Sequence, residues 1–428
     1  MLEHKEIKPS GDKEEKKVKK HNLLEIKDYL DLKYEFRKNE LTHEIEYRLL
    51  DKNNFSLLDE SQINSIWIDL QIDGYKCSDA TLLKILNSKL TGQYNPLQNY
   101  FENLAPHDGK DYIGELAKTI TISDVSVSGL NLKELWRPYL EKWLVASVAT
   151  VMGKGINHLC LILVGGQGKG KTTWLNHLCP KRMKEFLICS HINPSLTDQN
   201  TANFLAEKWF VNIDDQLETI FGKDFNSMKA IITAPFVTNR KTWHRFTMKR
   251  QRICSFMGSV NSMKFLTDTE NRRYLVFKTD AINFNHTIDI EKVWAQALYL
   301  LENKHSYWFA LEEMKQLNQI NELYRQISAE EEWLMMLYKP CEPKHPQAKF
   351  AMPSQMLTKL NAFSGMKLSI RKLSSAMEKL GYGDPVSKRI NGDSRKVYAV
   401  LEKGDLEEEK FQQEIKKEFA EQPEATIF

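Results

Sequence analysis

The sequence contains no apolar run of membrane-spanning length, and its opening, Met1 to Lys20, is charged and poor in apolar residues, unlike a signal peptide. A soluble, cytoplasmic protein without membrane contact is expected. Its six cysteines (Cys77, Cys160, Cys179, Cys189, Cys254 and Cys341) include no C-x-x-C pair. That spacing argues against a zinc ribbon and a disulfide framework, and suits a reducing compartment. A dominant charge is also missing: 60 lysines and arginines face 57 aspartates and glutamates, for a net charge of +3. Any nucleic-acid surface must therefore be a local patch. With 428 residues, 42% of them hydrophobic, the chain has material for two or three domains and a substantial core.

What is present centres on one stretch. The apolar run Cys160 to Val164 leads into Gly165-Gly166-Gln167-Gly168-Lys169-Gly170-Lys171-Thr172-Thr173, which is G-x-x-x-x-G-K-[ST] between a strand-like and a helix-like segment. Glycines let backbone N–H groups close around phosphate oxygens, and a helix beginning near Gly170 adds free N–H groups there. Lys171 is placed to reach the β- and γ-phosphates, and the Thr172 hydroxyl to bind Mg²⁺. ATP and Mg²⁺ are the expected cofactors.

The rest of the chain is ordered around this loop. Residues 1–20 read as a disordered charged tail, and 21–155 as a mostly helical N-terminal or oligomerisation region. In that region Tyr34 to Arg48 suggests a hairpin, and Leu132 to Val151 an amphipathic helix. Residues 156–338 alternate apolar strands with helices, which predicts an α/β P-loop domain with a parallel sheet. The run 339–347, with Pro340, Pro343 and Pro346, reads as a linker. Residues 348–402 give helix, helix and a basic hairpin turning at Asn391-Gly392, the order of a winged helix. Residues 403–428 read as a charged C-terminal helix or tail.

An NTPase needs a carboxylate near Mg²⁺, a group to polarise water, a polar sensor and compensation for transition-state charge. Trp209 to Asp215 is an apolar strand ending in paired carboxylates. Asp214 would hold the Mg²⁺ shell and Asp215 polarise the nucleophilic water, although such a pair also caps helices. Asn261, ending another strand, offers a neutral amide to water or γ-phosphate. Arg272 or Arg273 would serve as an arginine finger or make a surface salt bridge. Arg240, Lys241, Trp243, His244, Arg245, Lys249 and Arg250 set cations around an aromatic ring, a composition suited to tracking a nucleic-acid backbone.

Gly165 to Thr172, Ile213-Asp214-Asp215, the basic segment, Gly258-Ser259-Val260-Asn261 and Asn271-Arg272-Arg273, taken in order, resemble the virulence-associated protein E family. These are P-loop ATPases of phages and mobile elements, related to superfamily 3 helicases and the AAA+ class. The resemblance spans about residues 30 to 335. It implies Walker A, Walker B, sensor and arginine-finger roles for those residues, and a ring, typically hexameric. Asp215 departs from the family, which usually carries Glu there, so weaker water activation is implied. The primase domain often joined upstream in replication relatives is not recognised, so priming is not expected here; a separate primase or other replication proteins are candidate partners. The expected function is a ring-forming, ATP-dependent DNA helicase or translocase in replication of a phage or mobile element. The alternative is an ATP-switched DNA-binding or assembly factor that does not unwind processively.

Overall fold

The computed structural model describes residues 22–220, 223–239, 247–267, 271–390 and 393–403. The expected tails (1–20 and 403–428) and the Asn391-Gly392 turn lie outside the described residues, apart from residue 403. The chain divides into two units. One comprises Met1–Met263 and Asn271–Asn321, the other Lys264–Glu270 and Glu322–Phe428. Among the described residues no helix is long and apolar enough to cross a membrane.

The first unit opens with α1 (Leu23–Lys33), β1 (Tyr34–Asn39), β2 (Ile45–Leu49), β3 (Ser56–Leu57), α2 (Glu60–Ile72), α3 (Asp79–Leu86) and β4 (Gly92–Tyr94). Asn22 and Glu25 form a capping box that starts α1. The strands assemble in the order β3-β2-β1-β4. Ile26, Leu30, Ile66, Leu70, Leu82 and Leu86 fill the core beneath them. This part is thus more sheet-like than the sequence predicts. Only the β1–β2 hairpin has a readable alternation; β3 and β4, of two and three residues, are too short to show one.

Next come α4 (Pro96–Glu102), α5 (Tyr112–Ala117), β5 (Ile120–Ile122), the small pair β6 (Ser126–Val127) and β7 (Leu130–Asn131), and α6 (Leu132–Val151). They are followed by β8 (Cys160–Val164), α7 (Lys171–His177), β9 (Leu187–Cys189), α8 (Gln199–Glu207), β10 (Phe210–Asn212), α9 (Gln216–Thr219) and α10 (Lys223–Thr233). The unit ends with β11 (Phe236–Asn239), β12 (Met248–Gln251), β13 (Ser255–Val260), β14 (Tyr274–Ile282), α11 (Ile290–Glu302) and α12 (Leu311–Asn321).

The α/β class with a parallel sheet is present. Six strands run in the order β5-β14-β8-β13-β10-β9, all parallel except β5 at one edge. Every residue of β8 is buried, as a strand covered on both faces by helices requires. Because β5 pairs with β14, the expected boundary at residue 155 cuts through this sheet. The buried Trp136, Leu140, Trp143 and Leu144 of α6 belong to the same body, and Trp143 donates to Leu159 O at 3.1 Å.

The second unit holds α13 (Ala329–Leu337), β15 (Tyr338–Pro340), β16 (Lys349–Ala351), α14 (Pro353–Ser364), α15 (Ile370–Lys379), β17 (Val386–Ile390) and β18 (Asp393–Glu402). Leu334, Leu337, Met356, Leu360, Leu373 and Met377 share its core. The expected helix–helix–hairpin order is present, with β17 pairing directly to β18. The structure places the 339–347 run elsewhere than between domains. Tyr338 pairs with Glu402 and Lys349 with Val400, so the run connects two strands that flank β18. Prolines at the ends of edge strands look, in sequence, like those of a linker.

Candidate functional site

Strand register builds the site. Val164, the last residue of β8, pairs with Val260 of β13, and Gly165 N–H continues the ladder to Val260 O at 3.2 Å. Asn261 therefore emerges beside the glycine loop. On the other side of β13, Asn212 pairs with Met257; Ile213 N–H then bonds Met257 O and Asp215 N–H bonds Ser259 O, both at 2.9 Å. The acidic pair is thus delivered to the same carboxyl edge of the sheet.

The loop itself demands glycine. Gly170 has φ 78°, and a Cβ there would lie 2.1 Å from a ring carbon of Phe284. A Cβ on Gly165 would meet Thr279 Oγ1 at 2.8 Å. Residues Gly166, Gln167, Gly168 and Lys169 form the exposed tip, with Lys169 Nζ donating to Asp280 O at 3.1 Å. Thr173, next to Thr172 in α7, is also exposed.

Lys171 is 5% exposed. Its ammonium donates to Gly165 O (2.7 Å), Gly166 O (2.9 Å) and Asn261 Oδ1 (2.9 Å), which occupies all three protons. Burial lowers its pKa, against the opposing pull of Asp215, Asp214 and Glu218. Thr172 Oγ1 donates to Asp214 Oδ1 at 2.9 Å, and Ser259 Oγ donates to the same oxygen. Asn261 is the node of the site: its Oδ1 takes Lys171, its Nδ2 donates to Asp215 Oδ1 at 3.1 Å, and its N–H meets Glu218. Glu218 Oε1 also accepts Ser262 N–H at 2.8 Å.

Asp215 sits at φ 52°, a left-handed conformation uncommon for a residue with a side chain. Burial, with the nearby charges of Asp214 and Glu218, raises its carboxyl above the ordinary range; Lys171 and the Asn261 hydrogen bond oppose the shift. Three carboxylates thus gather around one ammonium. That imbalance, with a threonine hydroxyl and a carboxylate as hard oxygen donors, fits a Mg²⁺ ion carried in by phosphates. Two participants went unassigned in the sequence. Ser259 stands two residues before Asn261, on the same face of the strand ending, and Glu218 stands one helical turn after Asp215.

Arg272 and Arg273 lie elsewhere. Arg273 O accepts Cys160 N–H at 2.9 Å, and Tyr274 pairs with Cys160, so the arginines stand at the amino-terminal edge of the sheet. The length of β8, about 13 Å at about 3.3 Å per residue, separates that edge from the glycine loop. Arg272 is exposed, and Arg273 Nε has no hydrogen-bond partner among the described residues.

The basic segment crosses a hairpin, β11–β12, whose last described pair is Asn239 with Met248. Arg240, Lys241, Trp243, His244 and Arg245 fall between those strands and outside the described residues. Lys249 is exposed, its ammonium 4.2 Å from the Phe236 ring centroid. Arg250 is a correction to the nucleic-acid set. It is 7% exposed and donates to Glu207 Oε1 and Asn203 Oδ1, each at 2.6 Å, and to Leu41 O at 3.2 Å. Arg252, also in the basic run, is wholly buried and bonded to the carbonyls of Ala234, Cys254 and Asn157. Replacing Arg250 by Met removes its bonds to Glu207, Asn203 and Leu41 O, and breaking such a buried pair costs about 3–5 kcal/mol. Urea unfolding is expected to show that loss; an unchanged midpoint would return Arg250 to the surface set.

No curated protein matches the chain. Among solved structures, the apo C-terminal region of NrS-1 aligns with 12% identity over 91% of this chain and 100% of that one, at a TM-score of 0.47. Its A form aligns with 14% identity over 89% and 99%, at a TM-score of 0.46. The description "Virulence-associated protein E-like domain" matches residues 102–326, more than half of the sequence and all of the site built above, and the chain belongs to that family.

Proposed function

We propose that the protein is a P-loop ATPase of the superfamily 3 helicase-like, AAA+ type, assembling as a ring and translocating on DNA during replication of a phage or mobile element. The observation that carries this reading is the convergence of Lys171, Thr172, Asp214, Asp215 and Asn261 at one sheet edge. Strand β13, inserted between the loop strand β8 and the acidic strand β10, supports the assignment. In this reading Lys171 exchanges its loop carbonyls for phosphate oxygens, and the exposed N–H groups of Gly166 to Lys169 wrap them. Thr172 and Asp214 would hold Mg²⁺, which would supply charge neutralisation to the phosphates. Asp215 orients and deprotonates the attacking water, and Asn261 fixes both Asp215 and Lys171. The DNA-facing cations fall in the sequence between β11 and β12, and Lys249 lies on β12.

One observation favours a second reading, an ATP-switched binding or assembly factor. Asp215 is a short carboxylate already engaged by Asn261, which suits slow hydrolysis. Strand displacement on a forked duplex, measured beside ATPase rates with and without single-stranded DNA, separates the two. Displacement supports the motor. DNA-stimulated hydrolysis without displacement supports the switch, and no hydrolysis at all removes both.

Asp215→Asn tests the water-activating role. General-base catalysis is worth about 10²–10⁴-fold, so turnover is expected to fall by that order while ATP affinity holds. Stability should move the other way. With its folded pKa raised, Asp215 favours the fold only while protonated, fully so below its unfolded pKa, and that contribution is lost as pH rises through the folded value. At neutral pH the ionised carboxylate opposes the fold, and Asn also tolerates the left-handed backbone better. The melting temperature without Mg²⁺ is expected to rise. An equal loss of ATP affinity would instead place Asp215 in the metal shell.

A further inference from the structure

The second unit leaves an apolar corner uncovered. Helix α14 ends at Ser364, Gly365 turns the chain in a left-handed conformation (φ 66°), and α15 starts at Ile370. Within that corner Leu368 joins the core, but Phe363, Met366 and Ile370 are 50%, 56% and 44% exposed. Apolar side chains exposed singly need no explanation; three from Phe363 to Ile370, bordered by charge, mark an interaction surface. The border is of one sign. Lys367, Arg371 and Lys372 are exposed, and none of them joins an ion pair among the described residues. No aspartate or glutamate occurs from Pro353 to Met377. Glu330 reaches the corner from α13, but it is buried and its Oε1 accepts Ser369 N–H at 3.0 Å.

The chain itself leads to this corner. Lys403 is the last described residue, and its N–H bonds Leu337 O at 3.1 Å. Beside it, Glu402 Oε1 lies 3.4 Å from Lys359 Nζ, and that ammonium lies 5.9 Å from the Phe363 ring centroid. Lys359 and Phe363 stand at i, i+4 on α14, one turn apart. The sequence from Asp405 to Glu421 holds seven acidic and three basic residues. As a helix it would carry Phe411, Ile415 and Phe419 in one stripe, with Glu414, Glu418 and Glu421 along its flank. A helix of this length is marginal alone in water, so the stripe needs a surface. Reach is ample: the link from Lys403 to Phe411 spans about 26 Å when extended, beyond the roughly 18 Å length of α14.

We propose that residues 405–421 fold back as a helix onto this corner. Phe411, Ile415 and Phe419 cover Phe363, Met366 and Ile370, and the flanking glutamates lie beside Lys367, Arg371 and Lys372. Apolar pattern and opposite charge select this occupant. The tether selects the same chain over a second copy, because a short flexible link holds the segment at about millimolar effective concentration. The proposal does not rest on ATP hydrolysis.

The test is hydrogen exchange of the full chain, read by mass spectrometry, beside zero-length carboxylate–amine cross-linking. Amides of residues 405–421 are expected to exchange at least about tenfold more slowly than in the variant Phe411→Ser/Ile415→Ser/Phe419→Ser. The variant Phe363→Ser/Met366→Ser/Ile370→Ser should release the tail to the same degree. Its exchange elsewhere should be unchanged, since the three side chains are exposed. Cross-links should join Glu414, Glu418 or Glu421 to Lys367 or Lys372. Lys367→Glu/Lys372→Glu should weaken the protection, and adding Glu414→Lys/Glu418→Lys should restore it, which a change in helix propensity alone would not do. An unprotected tail in the unaltered chain would overturn the proposal. So would protection that survives Phe363→Ser/Met366→Ser/Ile370→Ser, because the tail would then lie elsewhere. Mixing isotope-labelled with unlabelled chains separates the same chain from a second copy. Cross-links of mixed mass would give the tail to a neighbouring copy and likewise overturn the fold-back.

Discussion

Lys171→Ala is expected to abolish measurable ATP hydrolysis while the protein still folds. The Lys171 ammonium makes three charge-assisted hydrogen bonds, to two loop carbonyls and Asn261, beside the carboxylates of Asp214, Asp215 and Glu218. Burial opposes its charge, so the fold gains less from this ammonium than the short contacts suggest. Truncation leaves Asp214, Asp215 and Glu218 without their cation. Some loosening of the loop follows, and the sheet behind it, with β8 buried along its length, does not depend on it. Catalysis is another matter. Removing one preorganised donor from a developing charge typically costs about 10²–10³-fold in turnover, and this donor is cationic. The expected result is turnover near background, weakened ATP affinity, and a circular dichroism spectrum like that of the unaltered protein. Turnover within a few-fold of the unaltered protein would remove the glycine loop from the catalytic site.

The parts of the site legible in sequence are those fixed by local necessity. A backbone that closes on phosphate needs glycines at set spacing, so Gly165 to Thr172 announces itself. An apolar strand that ends in Asp214-Asp215 does so too. Asn261 was legible as a polar residue ending a strand. Ser259 and Glu218 were not, because their roles come from register: β13 beside β10 aims Ser259 at Asp214, and α9 brings Glu218 under the Asn261 backbone. Composition also cannot separate cations by burial. Arg250 and Arg252 share a basic run with Lys249, yet Glu207 and three backbone carbonyls hold them inside. The same limit applies to the fold. Alternating strands and helices show a parallel sheet, but not that β5, from before the glycine loop, joins its edge.

The arginine pair carries the remaining large effect. Arg272 and Arg273 stand at the amino-terminal edge of the sheet, whereas Lys171 stands at the carboxyl edge. An arginine at the start of β14 does not span the length of the strand to reach a γ-phosphate held by its own loop. In the proposed ring it meets the nucleotide of the neighbouring subunit. A guanidinium delivered in trans stabilises charge spreading over the γ-phosphate oxygens, an effect worth about 10³–10⁵ in rate. Arg272→Ala/Arg273→Ala is therefore expected to bind ATP normally and hydrolyse it at least a thousandfold more slowly. Turnover per subunit of the unaltered protein should rise with protein concentration as subunits assemble. The decisive measurement mixes this variant with Lys171→Ala. Each is inactive alone, but a mixed assembly contains interfaces with an intact loop on one side and intact arginines on the other, so part of the activity should return. Absence of complementation in assemblies shown to be mixed would refute action in trans. Turnover that stays constant on dilution to monomer would refute it independently, by showing that one subunit completes its own site.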